Sequence, residues 1–285
     1  MKKLRKIYYF LQQIFILYKN HNYLKFSFNI GNFYAVTKIK GTKIYVPIRS
    51  IKILRRLNNF SKSSTDIVFT WLTNLKNCKT FYDIGSANGL EGFYINGRHN
   101  SKVVFFESYI PSLEDLLKGV YLKERINNNN KNNNKNNDNS NFNIVQAACG
   151  ENSEFTKIYS HSPPKSGYTF NTHEIDERDN HLWKNNKIQT SNWVFVTTID
   201  DAQKNLKIDP PTHIKIDVDG YENKVLKGAT NTLKKRIVEE WMIEIHKKNS
   251  KEIYELMNKY GYIEKSKYKH YSDENSCWDS LFVKI

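Results

Sequence analysis

The sequence holds three cysteines in 285 residues, and they stand far apart. Cys78, Cys149 and Cys277 form no CxxC pair and have no histidine at zinc-finger spacing, so neither a disulfide framework nor a structural zinc site is expected. They read as reduced, partly buried thiols of an intracellular protein. Acidic residues are missing from the first 65 positions, where 14 Lys or Arg stand without one Asp or Glu. The rest of the chain carries 30 bases against 29 acids, so the formal charge of +15 belongs to an N-terminal arm and the main body is close to neutral. A near-neutral body lacks the broad electrostatic footprint of a nucleic-acid-binding protein. The arm itself suits an acidic surface, either anionic lipid or nucleic acid, or is simply a solvated basic segment.

Long apolar runs are lacking too. Lys2, Lys3, Arg5 and Lys6 precede Ile7-Tyr8-Tyr9-Phe10-Leu11 in the manner of a signal peptide. Gln12 and Gln13 interrupt that run, no small-residue cleavage site follows, and the stretch is too short to span a bilayer. A cytoplasmic protein is expected, neither secreted nor membrane-spanning. Ile7, Phe10, Leu11, Ile14, Leu17 and Tyr18 fall at helical spacing, which predicts an amphipathic helix that lies on a membrane periphery or packs on its own domain. Two nucleotide signatures are absent as well: neither G-x-G-x-x-G nor G-x-x-x-x-G-K-[ST] occurs, which weakens any nicotinamide or nucleoside triphosphate reading.

What is present is alternation. Phe33 to Lys40 and Lys43 to Ile48 read as a hairpin about Gly41-Thr42, and with the first helix they make an N-terminal extension over residues 1–59. Ser64-Thr65-Asp66 offers an N-cap to a helical stripe at Val68, Trp71, Leu72 and Leu75, which opens a second unit over 60–285. There, strand-like segments at Thr80 to Ile84, Val103 to Glu107, Ile144 to Ala148, Trp193 to Thr198, Ile214 to Val218, Trp241 to Ile245 and Leu281 to Ile285 alternate with helices. The helices begin near Leu90, run from Pro111 to Arg125, carry Val225, Leu226, Ala229 and Leu233, and occupy 250–260. The pattern predicts an α/β fold, a doubly wound and mostly parallel sheet with helices on both faces. One segment breaks it: 11 of the 15 residues from Asn127 to Asn141 are Asn, and with nothing apolar to bury it reads as a disordered surface insertion.

The strongest local signal is Phe81-Tyr82-Asp83-Ile84-Gly85-Ser86-Ala87-Asn88-Gly89, an apolar strand that ends in an acid and opens onto small residues. Such a turn lets a ligand approach the backbone at the carboxyl end of a strand, where doubly wound sheets bind their ligands. The next strand, Val103 to Phe106, ends in Glu107, about 20 residues beyond the turn, where a carboxylate accepts hydrogen bonds from both ribose hydroxyls. Asp217, Asp219 and Glu222 form the densest acidic cluster at a strand end. They suit a divalent cation such as magnesium held by oxygen ligands, or a general base for an acceptor hydroxyl. The bland alternative is that Asp219-Gly220 makes a turn and Glu222 favours a helix N-terminus. His246 belongs to the same sheet edge and has the pKa range of a general base, or it orients the acceptor with Glu244, or it merely closes its strand. Tyr159, His161, Gly167, Tyr168 and Thr169 fall in a polar segment of the kind that forms substrate loops.

At these residues a resemblance becomes specific. DIGSANG at 83–89, FFES at 105–108, KIDVDGYE at 215–222 and IEIH at 243–246 resemble, in order, four motifs of the FkbM family of methyltransferases. The resemblance implies a Rossmann-like class I fold, S-adenosylmethionine as donor, and a hydroxyl oxygen of a glycan, glycolipid or small metabolite as acceptor. It implies that Asp83, Gly85, Ala87, Asn88 and Gly89 shape the donor's amino-acid end. Glu107 and Ser108 would then stand at the ribose, Ala147 and Ala148 after Gln146 at the adenine, and Asp217 beside the donor. Ser86 stands where the family has Ala, and Ser108 where it has Pro; neither change removes a charge or a required glycine. Two rival readings are a nucleic-acid methyltransferase and a methyltransferase fold kept as a non-catalytic binding module, the latter disfavoured by the intact acids at 83, 107 and 217.

Overall fold

The computed structural model describes residues 2–21, 24–29, 32–47, 51–60, 67–130, 140–160, 171–172, 190–269 and 277–285. The chain opens with α1 (Lys2–His21), the antiparallel strands β1 (Leu24–Asn29), β2 (Asn32–Ile39) and β3 (Thr42–Pro47), then α2 (Ile51–Phe60) and α3 (Ile67–Asn74). The turn between β2 and β3 is Lys40-Gly41, one residue earlier than the sequence suggested. Both residues have positive φ, 44° and 81°, as a two-residue hairpin of the I′ kind requires.

The main unit follows with β4 (Thr80–Ile84), α4 (Leu90–His99), β5 (Lys102–Phe106), α5 (Ile110–Asn130) and β6 (Phe142–Val145). Next come β7 (Ala148–Cys149), β8 (Glu154–Ser160), β9 (Asn171–Thr172), β10 (Thr190–Thr197), α6 (Ile199–Leu206), β11 (His213–Ile216), α7 (Glu222–Lys227) and α8 (Thr230–Lys235). The chain ends with β12 (Glu240–His246), α9 (Ser250–Lys259), β13 (Tyr262–Lys269) and β14 (Cys277–Lys284).

Seven strands form one sheet in the order β13-β14-β12-β11-β4-β5-β6. Neighbours from β12 to β6 pair in parallel, and β14 is antiparallel to both β12 and β13. From β4 the chain winds outward to β6 and then returns to place β11 on the other side of β4. The winding direction therefore reverses between β4 and β11, and in such sheets the crevice at that reversal is where ligands bind.

Two expected strands behave differently. The strand expected over Ile144 to Ala148 ends at Val145, and Ala148–Cys149 crosses to a small sheet of order β7-β10-β8-β9. Trp193 to Thr198, expected in the parallel core, is β10 of that small sheet and runs antiparallel to β8. The reason lies in its burial: Val194 and Val196 are buried while Trp193 is 69% exposed and Phe195 42%, so one face meets solvent, whereas all five residues of β4 are buried. The helix expected across 225–233 is broken at Gly228, where an added Cβ would lie 2.0 Å from the Gly150 carbonyl oxygen. Helix α5 runs to Asn130, past the expected end at Arg125, because adding residues to a formed helix is far easier than starting one. The expected N-cap at Ser64 to Asp66, His161, Gly167, Tyr168 and Thr169, and positions 131–139 of the Asn-rich run lie outside the described residues.

Alternation along the central strands divides the core into two layers. Tyr82, Ile84, Val104, Phe106, Ile214, Ile216, Trp241 and Ile243 face one side, toward α6 to α9. Phe81, Val103, Phe105 and Met242 face the other, and there Ile39, Ile44, Val46, Ile53, Leu54 and Leu57 of the N-terminal elements complete the layer. Each such aliphatic side chain, buried fully, contributes roughly 1.5–3 kcal/mol. The basic arm is thus docked on the main sheet, which brings α2 to the edge of the crevice.

Candidate active site

One face of the sheet turns polar at its carboxyl end. Asp83 shares the face of Phe81 and stands in direct register with Lys215 of β11. Lys215 Nζ lies 3.5 Å from Asp83 Oδ1 and 3.2 Å from Asp217 Oδ2. On the next strand Met242, Glu244 and His246 continue this face by the same period of two. Above it, the Arg56 guanidinium of α2 donates to both carboxylate oxygens of Glu91 in α4, at 2.7 and 2.9 Å. Burial pushes the Asp83 carboxyl up to about 6, although Lys215 beside it pulls the other way. Against burial, Lys215 and Arg56 hold Asp217 below the usual carboxylate range. The Asp217 side chain is 40% exposed, so this charge borders the crevice, whereas Asp83 is fully buried and forms its floor.

The turn after β4 is built for close approach. Gly85, Ala87 and Gly89 all have positive φ, at 75°, 49° and 73°. At Gly85 an added Cβ would lie 1.9 Å from the Asp217 carbonyl oxygen, so the end of β11 can sit against the turn only because that side chain is absent. The Gly85 and Ser86 amides both donate to the Phe106 carbonyl at 3.1 Å. Glu107 accepts the Ala87 amide at Oε2 and the Tyr109 amide at Oε1, both at 2.7 Å, which ties the acid to the glycine turn. Burial raises the Glu107 carboxyl to about 7 even so. A carboxylate has about four lone-pair sites, so each oxygen keeps capacity for a further donor.

The fit to a donor of the expected kind is read from orphaned atoms. Neither carboxylate oxygen of Asp83 accepts a hydrogen bond, Oδ1 having only the Lys215 ammonium at 3.5 Å, and neither amide atom of Asn88 has a partner, although both residues are buried. Leaving a buried polar group unpaired costs roughly 1–3 kcal/mol. Asp83 Oδ2 and the two amide atoms of Asn88, beside a turn that exposes its backbone, suit a ligand with both donors and acceptors, such as an amino-acid moiety, with Glu107 poised for a ribose diol. Ser108 is half-buried, while Ala147 and Ala148 are 3% and 8% exposed and lead into β7.

Asp219, with φ 54°, and Gly220, with φ 103°, turn the chain sharply before α7. Glu222 folds back onto that turn, where its Oε1 accepts the Gly220 amide at 2.9 Å and the Val218 amide at 3.3 Å. His246 Nε2 lies 3.3 Å from Glu244 Oε2. Among the described residues, the group of three His, Cys, Asp or Glu whose ligand atoms converge within 4.8 Å is Glu222, Glu244 and His246. Asp217 and Asp219, expected from sequence to share a cation with Glu222, are not members of that group. Asp217 is taken by Lys215, and the left-handed turn directs Glu222 toward β12 instead. Burial raises Glu222 to about 7, with the His246 charge opposing and Glu244 adding. Burial pulls the His246 imidazole down, but Glu244 and Glu222 outweigh it and hold it above its ordinary value.

Three members of this site had no part in the sequence reading. Lys215 was within reach of it, since it alternates with Asp217 and so shares its face, although the register that sets it opposite Asp83 is a long-range matter. Arg56 and Glu91 carry no local signal, because they meet across 35 residues. Of the expected substrate segment, Tyr159 is partly buried on β8.

A model of the methyltransferase FkbM domain matches residues 83–264. No curated protein matches the chain. Among solved structures the chain is similar to methyltransferase FkbM from Methylobacillus flagellatus KT, at 15% identity over 81% of this chain and 55% of that one, with a TM-score of 0.42. It thus spans little more than half the length of that protein. It is also similar to TrmK of M. capricolum in complex with S-adenosyl-homocysteine, at 12% identity over 76% and 67% of the two chains, with a TM-score of 0.41. A third is TYW2 of M. jannaschii in complex with AdoMet, at 11% identity over 88% and 87%, with a TM-score of 0.38.

Proposed function

The chain belongs to the methyltransferase FkbM family, and on that premise we propose that it transfers a methyl group from S-adenosylmethionine to a hydroxyl oxygen of a glycan, glycolipid or small metabolite. The observation that carries the donor assignment is the set of buried Asp83 and Asn88 side-chain atoms that make no hydrogen bond, beside a backbone turn tied to Glu107. When bound, S-adenosylmethionine supplies an electrophilic methyl on a sulfonium. Asp83, Gly85, Ala87, Asn88 and Gly89 receive its amino-acid end, Glu107 with Ser108 its ribose, and Ala147 with Ala148 border its adenine. Asp217, at the open side of the crevice, favours positive charge next to the donor. The residues left for the acceptor are those one strand over: Glu244 and His246 orient a hydroxyl, and His246 or a carboxylate neighbour takes its proton. Because the methyl is already activated, in-line placement of the oxygen supplies much of the acceleration.

The N-terminal helix supports an acceptor at a membrane surface. On its inner side Gln13 is buried and bonded through its main-chain and side-chain oxygens to Asn58 Nδ2, at 3.0 and 2.9 Å. On its outer side Ile7, Tyr8, Leu11 and Phe15 are 57 to 70% exposed, beside exposed Arg5, Lys6 and Lys19. A stripe of apolar side chains with flanking cations suits an anionic lipid interface. No helix among the described residues is long and apolar enough to cross a membrane.

Incubation with methyl-tritiated S-adenosylmethionine and pooled glycans, glycolipids and RNA tests the reading. Label in the glycan or glycolipid fraction that survives mild alkali supports an ether linkage. Label confined to RNA would move the assignment to a nucleic-acid methyltransferase.

A further inference from the structure

We propose that Glu222, Glu244 and His246 bind a divalent first-row transition-metal ion, in the class of manganese(II), iron(II) or zinc(II). Their ligand atoms lie within 4.8 Å of one another. Three ligands at about 2.0–2.2 Å from one such ion stand roughly 3.0–3.6 Å apart; His246 Nε2 and Glu244 Oε2 already meet that at 3.3 Å, and a side-chain adjustment of up to about 1 Å brings Glu222 into the set.

A second observation is independent of that proximity. Glu222 is fully buried, and its Oε2 has no hydrogen-bond partner. Its other oxygen is fixed by the Gly220 and Val218 amides, and the Gly220 carbonyl is fixed in turn by Asn249 Nδ2 at 2.6 Å. A ligand oriented in this way by surrounding hydrogen bonds is the usual construction of a metal site. The His246 and Glu244 side chains are 14% and 18% exposed, so the set is closed on the Glu222 side and open to solvent on the other. An open side leaves positions for water or for an oxygen of a second molecule.

The donor set decides the class of ion. One imidazole and two carboxylates suit manganese, iron or zinc, whereas magnesium and calcium favour oxygen alone. Two carboxylates neutralise the ion without surplus charge. The competing cation is the Lys248 ammonium, which approaches Gly220 to within 3.8 Å of a Cβ position there.

Ion binding stands on its own, but its use rests on the methyltransferase reading. Strand β12 lies next to β11, one strand over from Asp217. An ion there selects acceptors whose hydroxyl can coordinate a Lewis acid and lowers the pKa of that hydroxyl, and with His246 held by the ion the proton goes to the carboxylate neighbour instead.

The test is a titration of chelator-treated full-length protein with manganese(II), reading the free ion by electron paramagnetic resonance. One saturable site per chain is expected, with affinity lowered at least about tenfold in Glu244→Gln and in His246→Gln. Both are partly exposed positions, and thermal melts check that the variants fold. Absence of a saturable site in the folded wild type, or wild-type affinity in either folded variant, would overturn the proposal. S-adenosylmethionine binding is measured on the same metal-free sample. Donor binding without manganese binding overturns the ion site alone, and manganese binding without donor binding overturns the methyltransferase reading alone.

Discussion

Replacing Gly85 by Ala should damage the molecule in a way that a matched glycine does not. Gly85 and Gly41 have nearly equal positive φ, 75° and 81°. Forcing Ala into that region costs roughly 1–2 kcal/mol at either place. At Gly41 nothing lies within 4 Å of the new Cβ, so the strain is the whole effect. At Gly85 the Cβ meets the Asp217 carbonyl oxygen at 1.9 Å and Val218 Cγ1 at 3.1 Å. Ordinary carbon to oxygen contact is about 3.3 Å, so the end of β11 must retreat by roughly 1.4 Å. That retreat breaks the bond from the Asp217 amide to the Ile84 carbonyl, 3.1 Å long, and pulls Asp217 from Lys215. The hydrogen bond is worth roughly 1 kcal/mol and the disturbed ion pair at least as much again. Gly85→Ala should therefore melt roughly 3–6 °C below Gly41→Ala by calorimetry. It should also lose S-adenosylmethionine affinity, which Gly41→Ala keeps. Equal melting temperatures, or a Gly85→Ala protein that binds the donor normally, would refute the close-approach reasoning.

Two further predictions follow from buried charge. Glu107 is raised by burial from 4.5 to about 7, so the folded state holds its proton more tightly than the unfolded state does. Its contribution to stability is intact below pH about 4.5 and falls as pH rises to about 7, by roughly 3 kcal/mol in total. Asp83 and Glu222 titrate in the same window, at about 6 and 7, so the comparison is with Glu107→Gln, whose chemical denaturation should show a shallower fall between pH 5 and 8. An unchanged slope would contradict it. Arg56→Ala leaves the Glu91 carboxylate buried without its two bonds and should cost roughly 3 kcal/mol in urea unfolding, most of it restored by adding Glu91→Gln. A loss below about 1 kcal/mol would show that the pair does not hold α2 to the crevice.

The central strands were legible because they are buried on both faces. Runs such as Phe81 to Ile84 and Val103 to Phe106 have few other homes, and the acids that end them stand out. β10 gave the same apolar run with a different cause, since aromatic residues on a solvent face look like core in one dimension. β13 was invisible for the opposite reason: Tyr262 to Lys269 carries Lys265, Lys267 and Lys269, the charges of an edge strand, and reads as loop. In the site, Asp83, the glycines and Glu107 were found because turn geometry and strand ends are local. The regrouping of Glu222 with Glu244 and His246 was not, because it depends on two left-handed residues at 219 and 220. Nor was Arg56, whose place is set by the packing of Ile53, Leu54 and Leu57 against the far layer of the core.

Calorimetric titration of the purified chain with S-adenosylmethionine, beside S-adenosylhomocysteine and NAD, tests the donor site most directly. Saturable binding of the two adenosyl ligands and none of NAD is expected, with both lost in Glu107→Ala. A folded protein that binds neither adenosyl ligand, or that binds them equally well in Glu107→Ala, would contradict the assignment.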